Sequence, residues 1–418
     1  TRKQRNALLA EMTDDVAALV LRDNYFQTQV LSVTGRIAPE LLDAQQRFVQ
    51  YLEKEGRLHR AIEFLPSDGE FARRRTSRQG LASPEAAVLL AYAKMWLFDE
   101  LVASSLPDHP WVASALARYS PRALTERYAS YMARHPLRRE IIATHVANSM
   151  LNRVGSTFVH RLMETTGAGP HEVVRAYLLS REVFGFVALW KAIEALDSKV
   201  DDALQSAMLI SMSRELERGT TWFLRSRRLG EDMAATIAHF APRVEALAAG
   251  LPALLDAPGR ARIGAAVGEH VAKGVPEVLA GRVVTLDSLY LTLDIVEVAG
   301  ATSRPVELVA EIFFELSTRL ELPWLREMIG RLPGDAHWQI LARTAMGDDL
   351  SGLQRSIAVE VLSAASGITT RDELLASWQE RNRRATERAR RLLDELRTAP
   401  ATDASMLAVA LRELRNLG

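Results

Sequence analysis

Apolar residues recur along nearly the whole chain at three- and four-residue steps, the spacing that lines one face of an α-helix. Residues 139–161 show it best. Placed on a helix, Ile142, Ala143, Val146, Ala147, Met150, Leu151, Val154, Phe158 and Leu162 spread over well more than a third of the circumference. The remaining arc holds His145, Asn148, Ser149, Asn152 and Ser156, at i, i+3, i+4, i+7 and i+11. A surface helix would carry Lys, Glu or Arg there. An uncharged polar stripe opposite an apolar one predicts a helix covered on both sides, its amides and hydroxyls paired to neighbours. Two uses of the stripe stay open: satisfied polar groups in a core helix, or a ligand-binding face. Gly155 permits a close backbone approach or a break near the end.

The other segments follow the same period. Thr13 before Asp14 and Asp15 reads as an N-cap with acids in the first turn, so a helix is expected from Thr13 to about Ser32, its apolar stripe being Val16, Leu19, Val20, Phe26 and Val30. Ser67 with Glu70 and Thr370 with Glu373 have capping-box spacing. Ser83-Pro84 and Ser120-Pro121 place a cap before proline at a first helical position. One long helix each is expected over 171–197, 201–229 and 370–398, the last exposed, with Asp403 capping a final helix. Strand-like alternation flanked by Asn-Gly turns is missing. The pattern predicts an all-α protein of multi-helix bundles ending in a long C-terminal helical hairpin. Gly230 marks a change to Ala-rich helices punctuated by Gly and Pro, and the expected domains are residues 1–80, 81–229 and 230–418.

Composition narrows the chemistry. Lys+Arg and Asp+Glu are equal at 52 each, so no global field points to nucleic acid or membrane. The chain has no cysteine, which removes disulfides, thiolate nucleophiles and thiolate metal sites together and fits a reducing cytoplasm. No uncharged apolar run approaches the roughly 18 residues of a spanning helix. A dinucleotide site needs glycines between a strand and a helix. The nearest motif, Gly264 to Gly268, is GxxxG inside a helical pattern and predicts close helix packing instead. His135, His145, His160 and His171 have no metal-ligand spacing, so no metal is expected. The arginine-rich run 381–391 lacks interleaved aromatics and reads as a solvated helix face. No catalytic residue emerges. The polar run Arg22, Asp23, Asn24, Tyr25, Gln27 and Gln29 in the first helix reads either as a solvated face or as a docking surface for something outside the chain.

The stretch REIIATHVANSMLNRVGSTFVHR (139–161) resembles a signature of the C-terminal region of the large bacterial NAD-specific glutamate dehydrogenases. In the same order come LVLRDNYFQTQVLS (19–32), GRLHRAIEFLPSD (56–68), SPEAAVLLAYAKMWL (83–97), REVFGFVALWKAIEALD (181–197), LTLDIVEVAG (291–300) and HWQILARTAMGDDL (337–350). The resemblance implies a non-catalytic helical region behind a catalytic domain that binds NAD and oxidises L-glutamate. It favours the docking reading of Arg22 to Gln29, with the catalytic domain as partner, and implies a cytoplasmic homo-oligomer. Thr1 in place of Met fits a piece of a longer polypeptide. A stand-alone helical scaffold for a protein or small-molecule regulator is the alternative.

Overall fold

The computed structural model describes residues 1–226, 232–332, 337–363, 370–399 and 402–417, and among them every regular element is a helix. Two compact units result: Thr1–Arg181 with Asp201–Thr236, and Glu182–Val200 with Ile237–Gly418. The helices are α1 (Arg2–Arg36), α2 (Ala38–Lys54), α3 (Asp68–Thr76), α4 (Ser83–Ala103), α5 (Pro110–Ala113), α6 (Ala115–Tyr119), α7 (Arg122–Met132), α8 (Arg138–Val154), α9 (Phe158–Thr166) and α10 (Pro170–Val183). There follow α11 (Phe186–Glu194), α12 (Asp202–Arg225), α13 (Met233–Leu254), α14 (Ala257–Ala272), α15 (Glu277–Val284), α16 (Leu291–Thr302), α17 (Val306–Arg319) and α18 (Leu322–Arg331). The last four are α19 (His337–Ser363), α20 (Arg371–Arg381), α21 (Arg383–Thr398) and α22 (Ala404–Arg415).

The first unit is built around α8. Its Ile142, Ala143, Val146, Ala147, Met150 and Leu151 are buried, and its chief partner is α4, which buries Leu89, Leu90, Ala93, Trp96, Leu97 and Leu101. Each of the larger aliphatic side chains removed from water contributes about 1.5–3 kcal/mol. Helices α1 and α6 pack on the other flanks of α8. In the second unit α19 has the same role. It buries Leu350, Leu353, Ile357, Ala358, Val361 and Leu362 among α16, α17, α18, α20 and α22. Its buried Gln354 donates to the Phe313 carbonyl at 3.1 Å, and Arg355 pairs with the buried Asp294 at 2.6 Å.

Where the structure departs from the sequence pattern, identifiable residues are responsible. The first helix begins at Arg2, capped by Thr1 and Gln4, because the good helix formers of residues 6–12 carry it through Thr13. Thr13 bonds back to the Leu9 carbonyl at 3.0 Å instead of capping. Residues 139–161 do not form one helix: Gly155, at φ 81 and ψ 176, ends α8, and α9 starts at Phe158. Gly185, at φ 63, splits the helix expected over 171–197. Asn382 splits that over 370–398, its Nδ2 donating to Glu360 Oε1 at 3.2 Å; Leu374, Leu375 and Trp378 before it are buried rather than exposed. The C-terminal hairpin is α21 against α22, with Leu393 and Leu396 on one arm and Leu407, Leu411 and Leu414 on the other buried. Close packing at Gly264 and Gly268 is absent, since a Cβ at either would meet no atom within 4 Å. Residues 1–80 and most of 81–229, expected as separate domains, share the first unit, because α1 lies along α4, α8 and α12. The boundary expected at Gly230 lies outside the described residues.

The two kinds of glycine separate in a stability measurement. Gly155→Ala forces a Cβ into a conformation open essentially to glycine alone, and it should lower stability by about 1–3 kcal/mol. Gly264→Ala, in an open helical position, should raise it by about 0.5–1 kcal/mol. Denaturant midpoints for the two variants check both signs.

Candidate functional site

Helix α1 is the element whose surface is least explained by its own fold. Its inner face, Leu8, Met12, Leu19, Phe26 and Val30, is turned into the first unit and is partly or fully buried. Val16 and Val20, expected in that buried stripe, are exposed, as are Leu9 and Leu21; Val20 keeps 54% and Leu21 68% of its surface. The helix therefore carries apolar residues around most of its circumference, and the first unit covers one side. The single-stripe reading of the sequence missed this. The signal was present in Leu9, Val16 and Val20, at i, i+7 and i+11, beside the inner stripe.

Five of the six polar residues singled out on α1 divide into two groups, and the sixth, Asp23, is half-buried. Gln27, itself exposed, and the half-buried Gln29 are each tied to a neighbouring helix of the unit. Lys94 Nζ on α4 donates to Gln27 Oε1 at 2.7 Å, and Arg153 Nη1 on α8 donates to Gln29 Oε1 at 3.2 Å. Burial pushes the Lys94 ammonium below its usual range, with Asp23 opposing. The Arg153 guanidinium lies 4.0 Å from the centre of the Phe26 ring, a cation–π contact that clamps α1 to α8. Gln29 Nε2 donates to the Tyr25 hydroxyl at 3.0 Å. Arg22, Asn24 and Tyr25 face outward, with Arg22 and Asp23 3.9 Å apart. The outward group is thus Arg22, Asn24 and Tyr25, joined by the apolar Val20 and Leu21.

Asp15, read from the sequence as a first-turn acid of its own helix, and Glu11, one turn before it, both reach α7 instead. Asp15 Oδ2 accepts the Arg122 backbone N–H at 2.9 Å and so caps α7 from outside. Glu11 takes a two-pronged contact from Arg127, at 2.8 and 2.6 Å. Helix α7 is thereby fixed alongside the first half of α1.

The polar stripe of α8 is graded in burial. Asn152 is buried, as is Ser156 in the turn after α8, and His145, Asn148 and Ser149 are half-buried. Ser149 donates to its own helix, at the Val146 carbonyl, 3.1 Å away. Asn152 Oδ1 has no hydrogen-bond partner among the described residues. The His145 ring meets Tyr119 edge to face at 6.1 Å. Burial first, then the charges of Arg118, Arg22 and Arg181, push its pKa down to about 4. The ring is neutral at physiological pH. Among the described residues no group of three or more His, Asp or Glu could hold a metal ion, and no helix is long and apolar enough to cross a membrane.

Fold and surface define a class: an all-helical scaffold whose first helix is built into the bundle on one side and presents a second, partly apolar side outward. Comparison with known proteins gives the family. Residues 78–416 match the family described as glutamate dehydrogenase, C-terminal. Residues 1–34 match the one described as bacterial NAD-glutamate dehydrogenase, catalytic domain. The chain is 42% identical over 417 residues to an NAD-specific glutamate dehydrogenase of Pseudomonas aeruginosa, covering 100% of this chain and 26% of that protein. Proteins of the same name from Halomonas elongata (40% identical, 100% of this chain and 26% of the relative) and Mycobacterium tuberculosis (34%, 99% and 25%) are also similar. The chain belongs to the C-terminal family of glutamate dehydrogenases. It spans about a quarter of the length of the curated relatives it matches.

Two variants of the stripe test its physics. Asn152→Leu removes a buried acceptor that has no partner and should leave stability unchanged or raise it by about 1 kcal/mol, whereas Asn152→Asp puts an unpaired charge there and should cost several times that. Chemical denaturation of both decides it. For His145 the folded pKa, about 4, lies below the ordinary 6.5, so the unfolded chain binds the extra proton between those values. The stabilising contribution is complete above pH 6.5 and is lost as pH falls toward 4. His145→Gln should flatten the fall in denaturant midpoint over that window relative to the parent chain.

Proposed function

We propose that this chain is the non-catalytic helical region of a large NAD-dependent glutamate dehydrogenase, and that it docks onto the catalytic domain through the outward face of α1. The whole enzyme would convert L-glutamate, NAD and water to 2-oxoglutarate, ammonium and NADH, in the cytoplasm and as a homo-oligomer. Support rests on one observation above the others. Helix α1 is a continuous helix whose residues 1–34 match a catalytic-domain family, while its inner face is clamped into the helical unit by Arg153, Lys94 and Phe26. One helix would then belong to both parts and tie their positions together.

The described residues offer no strand followed by a glycine-rich turn to hold NAD, and no step of the reaction is assigned to them. The role that fits is mechanical: a prop that fixes the position of the catalytic domain.

Two measurements test this reading. The isolated chain, given L-glutamate and NAD, should produce no NADH above background, and calorimetry should detect no NAD binding; turnover by the chain alone would overturn the proposal. Within the full-length polypeptide, Val20→Ser with Leu21→Ser should speed hydrogen exchange along α1 and lower activity while the helices from α13 onward keep their protection. Full activity and unchanged exchange in that double variant would leave α1 without a docking role.

A further inference from the structure

Helix α7 and the turn after it form another surface of the first unit that its own fold leaves uncovered. From Glu126 to Leu137 every residue except Met132 is exposed. Three of them are large: Tyr128, Tyr131 at 67% and Leu137 at 55% of full exposure. The two tyrosine rings meet edge to face at 6.2 Å, and the Arg134 guanidinium lies 5.6 Å from the centre of the Tyr131 ring. Tyr and Arg, held rigid and amphipathic, are the side chains that dominate protein interfaces. Tyr128 has a non-helical backbone, φ −126 and ψ 19, so the last turn is offset from the rest of α7.

The position of this patch says what covers it. The contacts Arg122 to Asp15 and Arg127 to Glu11 pair rising numbers on α7 with falling numbers on α1. The two helices are antiparallel, and α7 runs toward the N-terminal end of α1. That half of α1 lies within the residues matching the catalytic-domain family, and Leu9 on it is also exposed. The same end is basic: Arg2, Lys3 and Arg5 on α1 and Arg134 beyond α7 are all exposed.

We propose that Tyr128, Tyr131, Arg134 and Leu137 form a second grip on the catalytic domain of the same polypeptide. The partner surface would be an apolar cradle for the two tyrosines and Leu137, rimmed by Asp and Glu facing the basic end. With α7 latched to α1 by Asp15 and Glu11, the pair acts as a two-pronged clamp: α1 fixes the position of the catalytic domain, and α7 resists its rotation about the α1 axis. This rests on the reading of α1 as the docking helix.

The test compares hydrogen exchange in the isolated chain and in the full-length polypeptide, with a photoreactive benzoylphenylalanine at position 131 to capture the neighbour. Exchange over residues 126–137 should slow by about tenfold or more in the full-length protein. The slowing should survive dilution to the monomer, and the cross-link should fall on catalytic-domain residues of the same chain. Tyr128→Ser with Tyr131→Ser should restore fast exchange there, while Tyr131→Phe should not. Protection of residues 2–21 without protection of 126–137 would overturn the grip and leave the α1 reading standing. Absence of protection at both would overturn the two together. Protection that vanishes on dilution, or a cross-link to a second copy, would assign the patch to an interface between subunits and overturn the grip.

Discussion

The contact between α8 and α4 is the one on which the first unit depends. Both helices are apolar over wide arcs, and no residue of α8 is exposed. Burying Ile142, Val146, Met150 and Leu151 against Leu89, Leu90, Trp96 and Leu97 fixes the axis of the unit and leaves its two other flanks for α1 and α6. What remains on α8 after those arcs are filled is the uncharged stripe. Its lack of charge follows from its place, since Lys or Glu at Asn152 or Ser156 would be a buried charge without a partner. Arginines stand around the stripe instead, and burial first, then their charges, keep His145 neutral.

Helix α1 depends on that core without being part of it. Its cohesion with the unit comes from a few directional contacts at its second half: Arg153 over Phe26, Arg153 to Gln29, and Lys94 to Gln27. The first half is held by ions at its edge, where Asp15 and Glu11 bind α7. Exposed ion pairs of this kind contribute little to stability and more to geometry. The first half of α1 is thus oriented more firmly than it is stabilised. The second unit follows the logic of the first, with α19 as its central helix and a pair between Arg355 and the buried Asp294 in place of the neutral stripe.

The amino-acid sequence by itself determined the class of fold, because a 3.6-residue period and the absence of alternation are local properties and were readable at nearly every segment. It determined several helix starts, as at Ser67 and Asp403, whose side chains bond backbone groups three residues on. It determined the apolar face of α8 and marked α1 as a helix with a dense polar run, open between a solvated face and a docking surface. Tertiary structure decided which of several apolar arcs on α1 is buried, because that depends on where α4, α7 and α8 lie and not on the period. It decided that Gly155 and Gly185 break their helices, whereas Gly264 and Gly268 continue theirs, since glycine permits either and the neighbouring packing selects. It turned Asp15 from a first-turn acid of its own helix into a cap for α7, and tied Gln27 and Gln29 to Lys94 and Arg153. Each of these joins residues far apart in the chain, and hydrophobic period, which reads only a few turns at a time, carries no record of such partners.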